Sequence, residues 1–276
     1  MQQDKQLKFI RYPGGKRRLI SFLSEHLPSP KKISGRYIEP FVGGGSIYFH
    51  LHPEKAVLSD INIELIDLYR GIRSNPEKVW RIYQHLPSTK KGYNEIRKLK
   101  HFDLDLPHRA ARTLFLNRTC FKGMWRHNSD GEFNVGYGGQ ARRWVITKED
   151  LLSVARYLKR AYLRSSDFEF IIDEAISGDY LFLDPPYRPG EREQLHAHYV
   201  GREFTFTDHQ RLAHSLREAD KRGVPWSMTI SGHPDILKMY RKFHVENVPR
   251  GTGRKIGVLA YNSGEVLISN HNGELK

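Results

Sequence analysis

The sequence predicts an α/β fold: an open sheet with its chemistry at the carboxyl ends of the strands, and a basic, mainly helical insertion in the middle. Three observations carry that expectation. The apolar run Tyr180-Leu181-Phe182-Leu183 stops abruptly at Asp184-Pro185-Pro186-Tyr187, where two prolines cannot donate to a central ladder. Tyr37-Ile38-Glu39 leads through Pro40-Phe41-Val42 into Gly43-Gly44-Gly45-Ser46 and an apolar run to Leu51, which reads as strand, glycine loop and helix. Ala56 to Ser59 reads as a second strand with Asp60 at its tip. Ligands of open α/β sheets bind at that edge.

Composition narrows the class. A chain of 276 residues suits one large domain or a domain with an insertion, and 38% hydrophobic residues suffice for a core. No apolar run reaches membrane-spanning length, and Met1 to Lys5 lacks the apolar stretch of a signal peptide, so a cytoplasmic, soluble protein is expected. The single cysteine, Cys120, excludes an intramolecular disulfide and a cysteine-based zinc cluster, and no other metal-ligand cluster stands out. Net charge is +14 with a pI near 9.8, which points to a polyanion partner, most simply nucleic acid. The excess is local: residues 62–160 hold 20 Lys and Arg against 10 Asp and Glu. Such a concentration suggests phosphate contact, against the alternative of a solvated basic face.

Taken in order, Phe9 to Lys16 sets an aromatic, the Gly14-Gly15 pair and a lysine ahead of a helix expected over 17–26. That is a grip for a carboxylate or phosphate, or an ordinary turn. The glycine loop at 43–45 is neither G-x-G-x-x-G nor a P-loop, but it lets a small cofactor lie against bare backbone. Asp60 after such a loop suits a ribose hydroxyl pair, which we favour over a cap for the helix expected across 62–72. Residues 75–115 are helical, basic and aromatic, punctuated by Pro76, Pro87 and Pro107, with the aromatics expected in a core. Asp130-Gly131 between Met124-Trp125-Arg126 and Phe133-Asn134-Val135 predicts a hairpin. A two-stranded ribbon bearing Lys122 and Arg126 is of a size to enter a major groove, where Arg reads guanine and Asn reads adenine.

Residues 151–163 then predict a helix, and Ser165 to Phe168 sets an acid, Asp167, beside an aromatic that could flank a cofactor's adenine. After the proline motif, 194–206 is expected as an ordered loop over the site. A helix over 207–222 begins at Thr207-Asp208 and ends at Gly223. Strands are expected at 225–230 and 243–248, a basic loop on the DNA backbone at 250–255, and an edge strand at 265–269.

The proline motif has a chemical reading. An exocyclic amine of a nucleobase is a poor nucleophile because its lone pair is delocalised into the ring. A carboxylate and a carbonyl accepting from one NH2, here Asp184 and the Pro185 C=O, restore density for attack on an electrophile. Tyr187 can stack on a base that has left the duplex. A strand followed by a proline-rich turn, with Asp184 as a cap, is the plain alternative.

Together, Tyr12 to Lys16, Glu39 to Ser46, Leu58 to Asn62, Asn117-Arg118 with Gly131 to Val135, and Asp184 to Tyr187 resemble, in that order, the Dam-like, D12 class, alpha-type DNA adenine-N6 methyltransferases. The resemblance implies a Rossmann-like, S-adenosylmethionine (AdoMet)-dependent methyltransferase sheet in two parts, 1–62 and 148–276. Between them, 63–147 would be an inserted, mainly helical target-recognition domain carrying the β-hairpin. It implies AdoMet as cofactor, with no metal, held by Tyr12, Lys16, Glu39, Phe41, Gly43, Gly45, Asp60, Asp167, Phe168 and Asp184. Asp184, Pro185 and Tyr187 would be catalytic, and Arg118, Lys122, Met124, Arg126, Asn134 and Arg254 would bind duplex DNA. A monomer of bacterial or phage origin is expected, with a cognate restriction endonuclease as a further partner. Lys122, Gly136-Tyr137 and Tyr12-Pro13 depart from the GATC readers, so the target is GATC or a related short site. The rivals are an RNA or protein-glutamine methyltransferase, which also carries P-P-Y, and a catalytically silent DNA-binding module.

Overall fold

The computed structural model describes residues 9–12, 15–128, 130–187, 204–249 and 264–271. A 3-10 turn over Lys16–Leu19 leads into α1 (Ile20–Ser24), so the helix expected over 17–26 is shorter and starts tighter. β1 (Tyr37–Glu39), α2 (Tyr48–Leu51) and β2 (Ala56–Ser59) follow as expected. The insertion brings α3 (Ile63–Ser74), α4 (Pro76–His85), α5 (Lys90–Lys98) and α6 (Leu106–Thr119). Asn62, Asn75, Thr89 and Asp105 cap these four helices with their side chains, and Pro76 and Pro107 sit in first turns, where no N–H partner is missed. The chain returns through α7 (Lys148–Leu158), β3 (Ala161–Arg164), α8 (Phe168–Asp173) and β4 (Tyr180–Leu183). It closes with α9 (Phe206–Lys221), β5 (Trp226–Ser231), α10 (Pro234–Leu237), β6 (His244–Asn247) and β7 (Glu265–Ser269).

Among the described residues, seven strands form one mixed sheet in the order β3-β2-β1-β4-β5-β7-β6. The first five are parallel, while β7 runs antiparallel to both β5 and β6. Strand order reverses between β1 and β4, so the switch point of the sheet lies between their carboxyl ends. One face packs Tyr37, Leu58, Tyr180 and Phe182 against α1, α3, α6 and α7; the other packs Ile38, Val57, Leu181 and Leu183 against α8 and α9. The first cluster continues without a break into the insertion, through Val79, Tyr83, Tyr93 and Phe115 to Trp125 and Phe133.

Four expectations need correction. The helix expected over 151–163 ends at Leu158, because Ala161 and Leu163 point inward while Tyr162 is 66% exposed, the alternation of a strand at the sheet edge. The closing strand is no edge: Val266 to Ser269 are buried, β7 sits inside the sheet, and the polar β6 takes the edge. Helix α9 starts one residue early, with Thr205 and Asp208 exchanging bonds in a capping box rather than Thr207 leading.

Finally, the hairpin is an antiparallel loop without regular strands. It is joined by bridges Cys120↔Tyr137 and His127↔Phe133 and by the Asn134 N–H donating to the Arg126 carbonyl at 3.0 Å. Asn128 Oδ1 accepts from the N–H groups of Asp130 and Glu132, and this local turn competes with the ladder. The loops expected at 250–255, with Arg254, and at 194–203 lie outside the described residues. Among the described residues no helix is long and apolar enough to cross a membrane.

Candidate active site

Asp184 follows the last residue of β4, at the switch point. The Lys16 ammonium lies 2.7 Å from its Oδ1, the Thr229 hydroxyl of β5 donates to the same oxygen at 2.9 Å, and the Tyr187 hydroxyl lies 3.4 Å from it. All three contacts fall on Oδ1, which leaves Oδ2 able to accept from another group. Lys16 Nζ also lies 3.0 Å from Glu265 Oε1, and the Tyr187 hydroxyl donates to that carboxylate. The ammonium stands 4.7 Å from the centre of the Tyr187 ring. Burial raises the Asp184 pKa, and the neighbouring ammonium opposes the rise without cancelling it. Burial also acts to lower that of Lys16, but Asp184 and Glu265 outweigh it and the net change is upward.

The glycine loop after β1 is built on Asp60. Its Oδ2 accepts from the Gly43 N–H and its Oδ1 from the Asn62 N–H, both at 3.0 Å. Asn62, not Asp60, caps α3. Gly43 has φ of +45° and carries its carbonyl to the Tyr69 hydroxyl at 2.7 Å. A Cβ at Gly43 would stand 3.0 Å from the Tyr12 ring, and one at Gly45 would stand 2.8 Å from the Phe49 ring, so both positions exclude a side chain. Burial raises Asp60 to a pKa of about 6 against the pull of those two N–H donors. Burial likewise raises Glu39 to about 8; its Oε1 accepts from the Tyr37 hydroxyl at 2.6 Å and from the Tyr48 N–H at 2.9 Å.

Tyr12 is held from the insertion. The Asn117 side chain accepts from the Arg11 N–H at 2.8 Å and donates to the Arg11 carbonyl at 2.6 Å. Its amide therefore replaces a strand partner for that backbone, one residue before Tyr12. On the other side of the loop, Phe41 and Phe168 stand 5.3 Å apart. Asp167 caps α8 and accepts from Arg211 at 2.8 Å, so its Oδ1 is committed within the protein.

The residues expected at DNA divide. Lys122 is exposed, in a left-handed conformation with φ of +52°. Arg126 is half-buried and its Nε donates to Asn134 Oδ1 at 2.9 Å, so the two expected base readers face each other. Met124 is half-buried and packs against the core. Arg118 is only 3% exposed, with its Nε donating to the Arg142 carbonyl, and it stands inside the protein rather than on its surface. Residue-by-residue reading missed Glu265 and Thr229, which reach Asp184 through strand order alone, and it missed the clamp that Asn117 makes.

These features define an open α/β fold with a carboxylate at the switch point and a glycine loop beside it. The model of the D12 class N6 adenine-specific DNA methyltransferases matches residues 12–251. The chain belongs to that family and is an adenine-specific DNA methyltransferase. The type II methyltransferase M.MjaIII of Methanocaldococcus jannaschii is 31% identical, covering 95% of this chain and 98% of its own. The type II methyltransferase M1.LlaDCHI of Lactococcus lactis subsp. cremoris is 31% identical, covering 87% of this chain and 86% of its own. A DNA adenine methylase of Vibrio cholerae is 30% identical, covering 83% and 82%. The solved rRNA methyltransferase aviRa of Streptomyces viridochromogenes overlaps 96% of this chain and 88% of its own, with 14% identity and a TM-score of only 0.35, and decides nothing further. Family membership implies AdoMet as methyl donor.

Proposed function

We propose that this enzyme methylates N6 of one adenine within a short duplex site, GATC or a related sequence, after flipping that base out of the helix. The observation that carries it is Asp184, half-buried at the switch point with Oδ1 anchored by the Lys16 ammonium and the Thr229 hydroxyl. Its Oδ2 and the Pro185 carbonyl then accept the two hydrogens of the target amine. Localising the nitrogen lone pair in this way is worth most in a site that water has left. Tyr187 stacks on the extruded base, and aligning nitrogen with electrophile supplies much of the rate.

The glycine loop suits AdoMet. It runs close under the Tyr12 and Phe49 rings at Gly43 and Gly45, where a Cβ would clash, and so keeps a backbone course that side chains would forbid. Its acid, Asp60, lies where a ribose diol would donate. Phe41 and Phe168, whose rings pack on each other at 5.3 Å, offer an apolar wall for a purine, with Tyr12 and Lys16 as further contacts. When bound, AdoMet supplies a methyl group made electrophilic by the sulfonium. Glu39 and Asp167 act one step back, Glu39 through its bond to the N-terminal turn of α2 and Asp167 as the cap of α8.

Residues 63–147 serve as the target-recognition domain. Lys122, Arg126 and Asn134 read bases, Met124 supports them from the core, and the basic helices hold phosphates. Arg118 holds the base of the loop through Arg142 rather than meeting a phosphate. A cognate endonuclease is the partner this enzyme would have if, like the two type II relatives, it works in modification.

Asp184→Ala tests the core of this proposal. Transfer of labelled methyl to duplex DNA is expected to fall at least a thousandfold, roughly the scale of a lost oriented acceptor. AdoMet affinity by calorimetry is expected to stay within about threefold, since Asp60 and the glycine loop are untouched. Turnover close to that of the unaltered enzyme would contradict it.

A further inference from the structure

β7 runs antiparallel to β5, with Glu265 paired to Ser231 at the end of β5. An antiparallel neighbour starts where the parallel strands finish. The final strand therefore delivers its first residue, Glu265, to the same edge as Asp184. There it shares Lys16, a side chain only 6% exposed, at 3.0 Å against 2.7 Å for Asp184, and it accepts from the Tyr187 hydroxyl. Nothing in amine activation itself calls for a second carboxylate.

A buried ammonium facing a single carboxylate settles wholly on it. With two, the pull on Asp184 is divided. We propose that Glu265 is a positioning residue for methyl transfer: it takes part of the Lys16 ammonium and holds the Tyr187 hydroxyl, so that Asp184 stays anchored through Oδ1 with Oδ2 free for the target amine. This rests on Asp184 being the acceptor of that amine.

Among the described residues, the charged and titratable groups facing Asp184 are Lys16 from the turn before α1, Glu39 from β1, Tyr187 from its own loop and Glu265 from β7. Thr229 of β5 adds a neutral donor. Asp184 is the stronger acceptor when ionised, so activity falls as pH drops through its raised pKa. The charge of Glu265 contributes to that rise. Removing the charge leaves Lys16 to Asp184 alone, which lowers the pKa and weakens the carboxylate as an acceptor.

The experiment is kcat against pH for the full chain and for E265Q, E265D and D184A, with KM for AdoMet and for duplex DNA. E265Q is expected to lose at least tenfold in kcat, the scale of a misplaced reacting group. Its acid limb should move to lower pH, with KM for AdoMet held within about threefold. E265D keeps the charge on a shorter arm, so its limb should stay in place while kcat falls; this variant reads the charge even if glutamine disturbs folding. A merely structural Glu265 would not move the limb. An E265Q enzyme within twofold of the unaltered one and with the same limb, beside an inactive D184A, overturns the role of Glu265 alone. Full turnover by D184A removes the role of both.

Discussion

At the residue scale, the proposed cofactor site turns on Asp60. Its carboxylate already accepts from two backbone N–H groups, yet burial raises it to a pKa of about 6. Ribose hydroxyls donate to the ionised form. AdoMet affinity should therefore be full above that value and weaken below it, by about tenfold per pH unit for one linked proton. Calorimetry between pH 5 and pH 8, with Asp60→Asn as the flat control, measures this; a pH-independent affinity in the unaltered enzyme would place the ribose elsewhere. The same position shows what sequence could tell. An acid at a strand tip after a glycine loop was visible in the sequence, and the proposal of a ribose contact rests on it. That the same oxygens organise the loop through Gly43 and Asn62 was not, because those bonds depend on the fold of the turn.

At the element scale, the antiparallel loop carrying Lys122 and Arg126 is fastened to α3 by a buried polar network. Glu64 of α3 accepts from His127 at 3.3 Å and Arg112 at 3.2 Å, and Asp67, one turn on, accepts from His101 at 2.9 Å and Arg109 at 3.2 Å. Burial raises both carboxyls, but these donors outweigh it and leave both pKa values lowered. Groups held below their unfolded values stabilise the fold above the ordinary carboxylate range. That stability is lost as pH falls through the lowered values. Glu64→Gln removes one partner of a buried charged pair and is expected to cost about 3 kcal/mol or more. Hydrogen exchange should quicken over 121–137, and unchanged protection there would show that the loop stands without Glu64. The elements that sequence described well have strong local signals: capped helices, a glycine loop, a proline stop. The misjudged ones, β3 and β7, are strands whose place is set by neighbours. Tyr162 on an edge and Val266 to Ser269 inside the sheet cannot be told apart by alternation within four or five residues.

At the scale of the whole molecule, strand order brings together groups far apart in the chain. Lys16, Asp184, Thr229 and Glu265 meet because the switch point lies between β1 and β4 and the last strand reverses direction. The proline motif revealed the acid, but only the topology reveals its partners. A hydrophobic cluster continuous from the sheet through α3 and α6 to Trp125 and Phe133 then ties the proposed recognition loop to the same core. The chain should accordingly act as one unit that both chooses and modifies its base. The most direct test is expression in a host lacking adenine methylation, followed by single-molecule sequencing of its genomic DNA. N6-methyladenine at one short motif is expected with the unaltered chain, none with Asp184→Ala, and an altered motif with Arg126→Ala. Host DNA free of N6-methyladenine, despite folded protein that binds AdoMet, would contradict it.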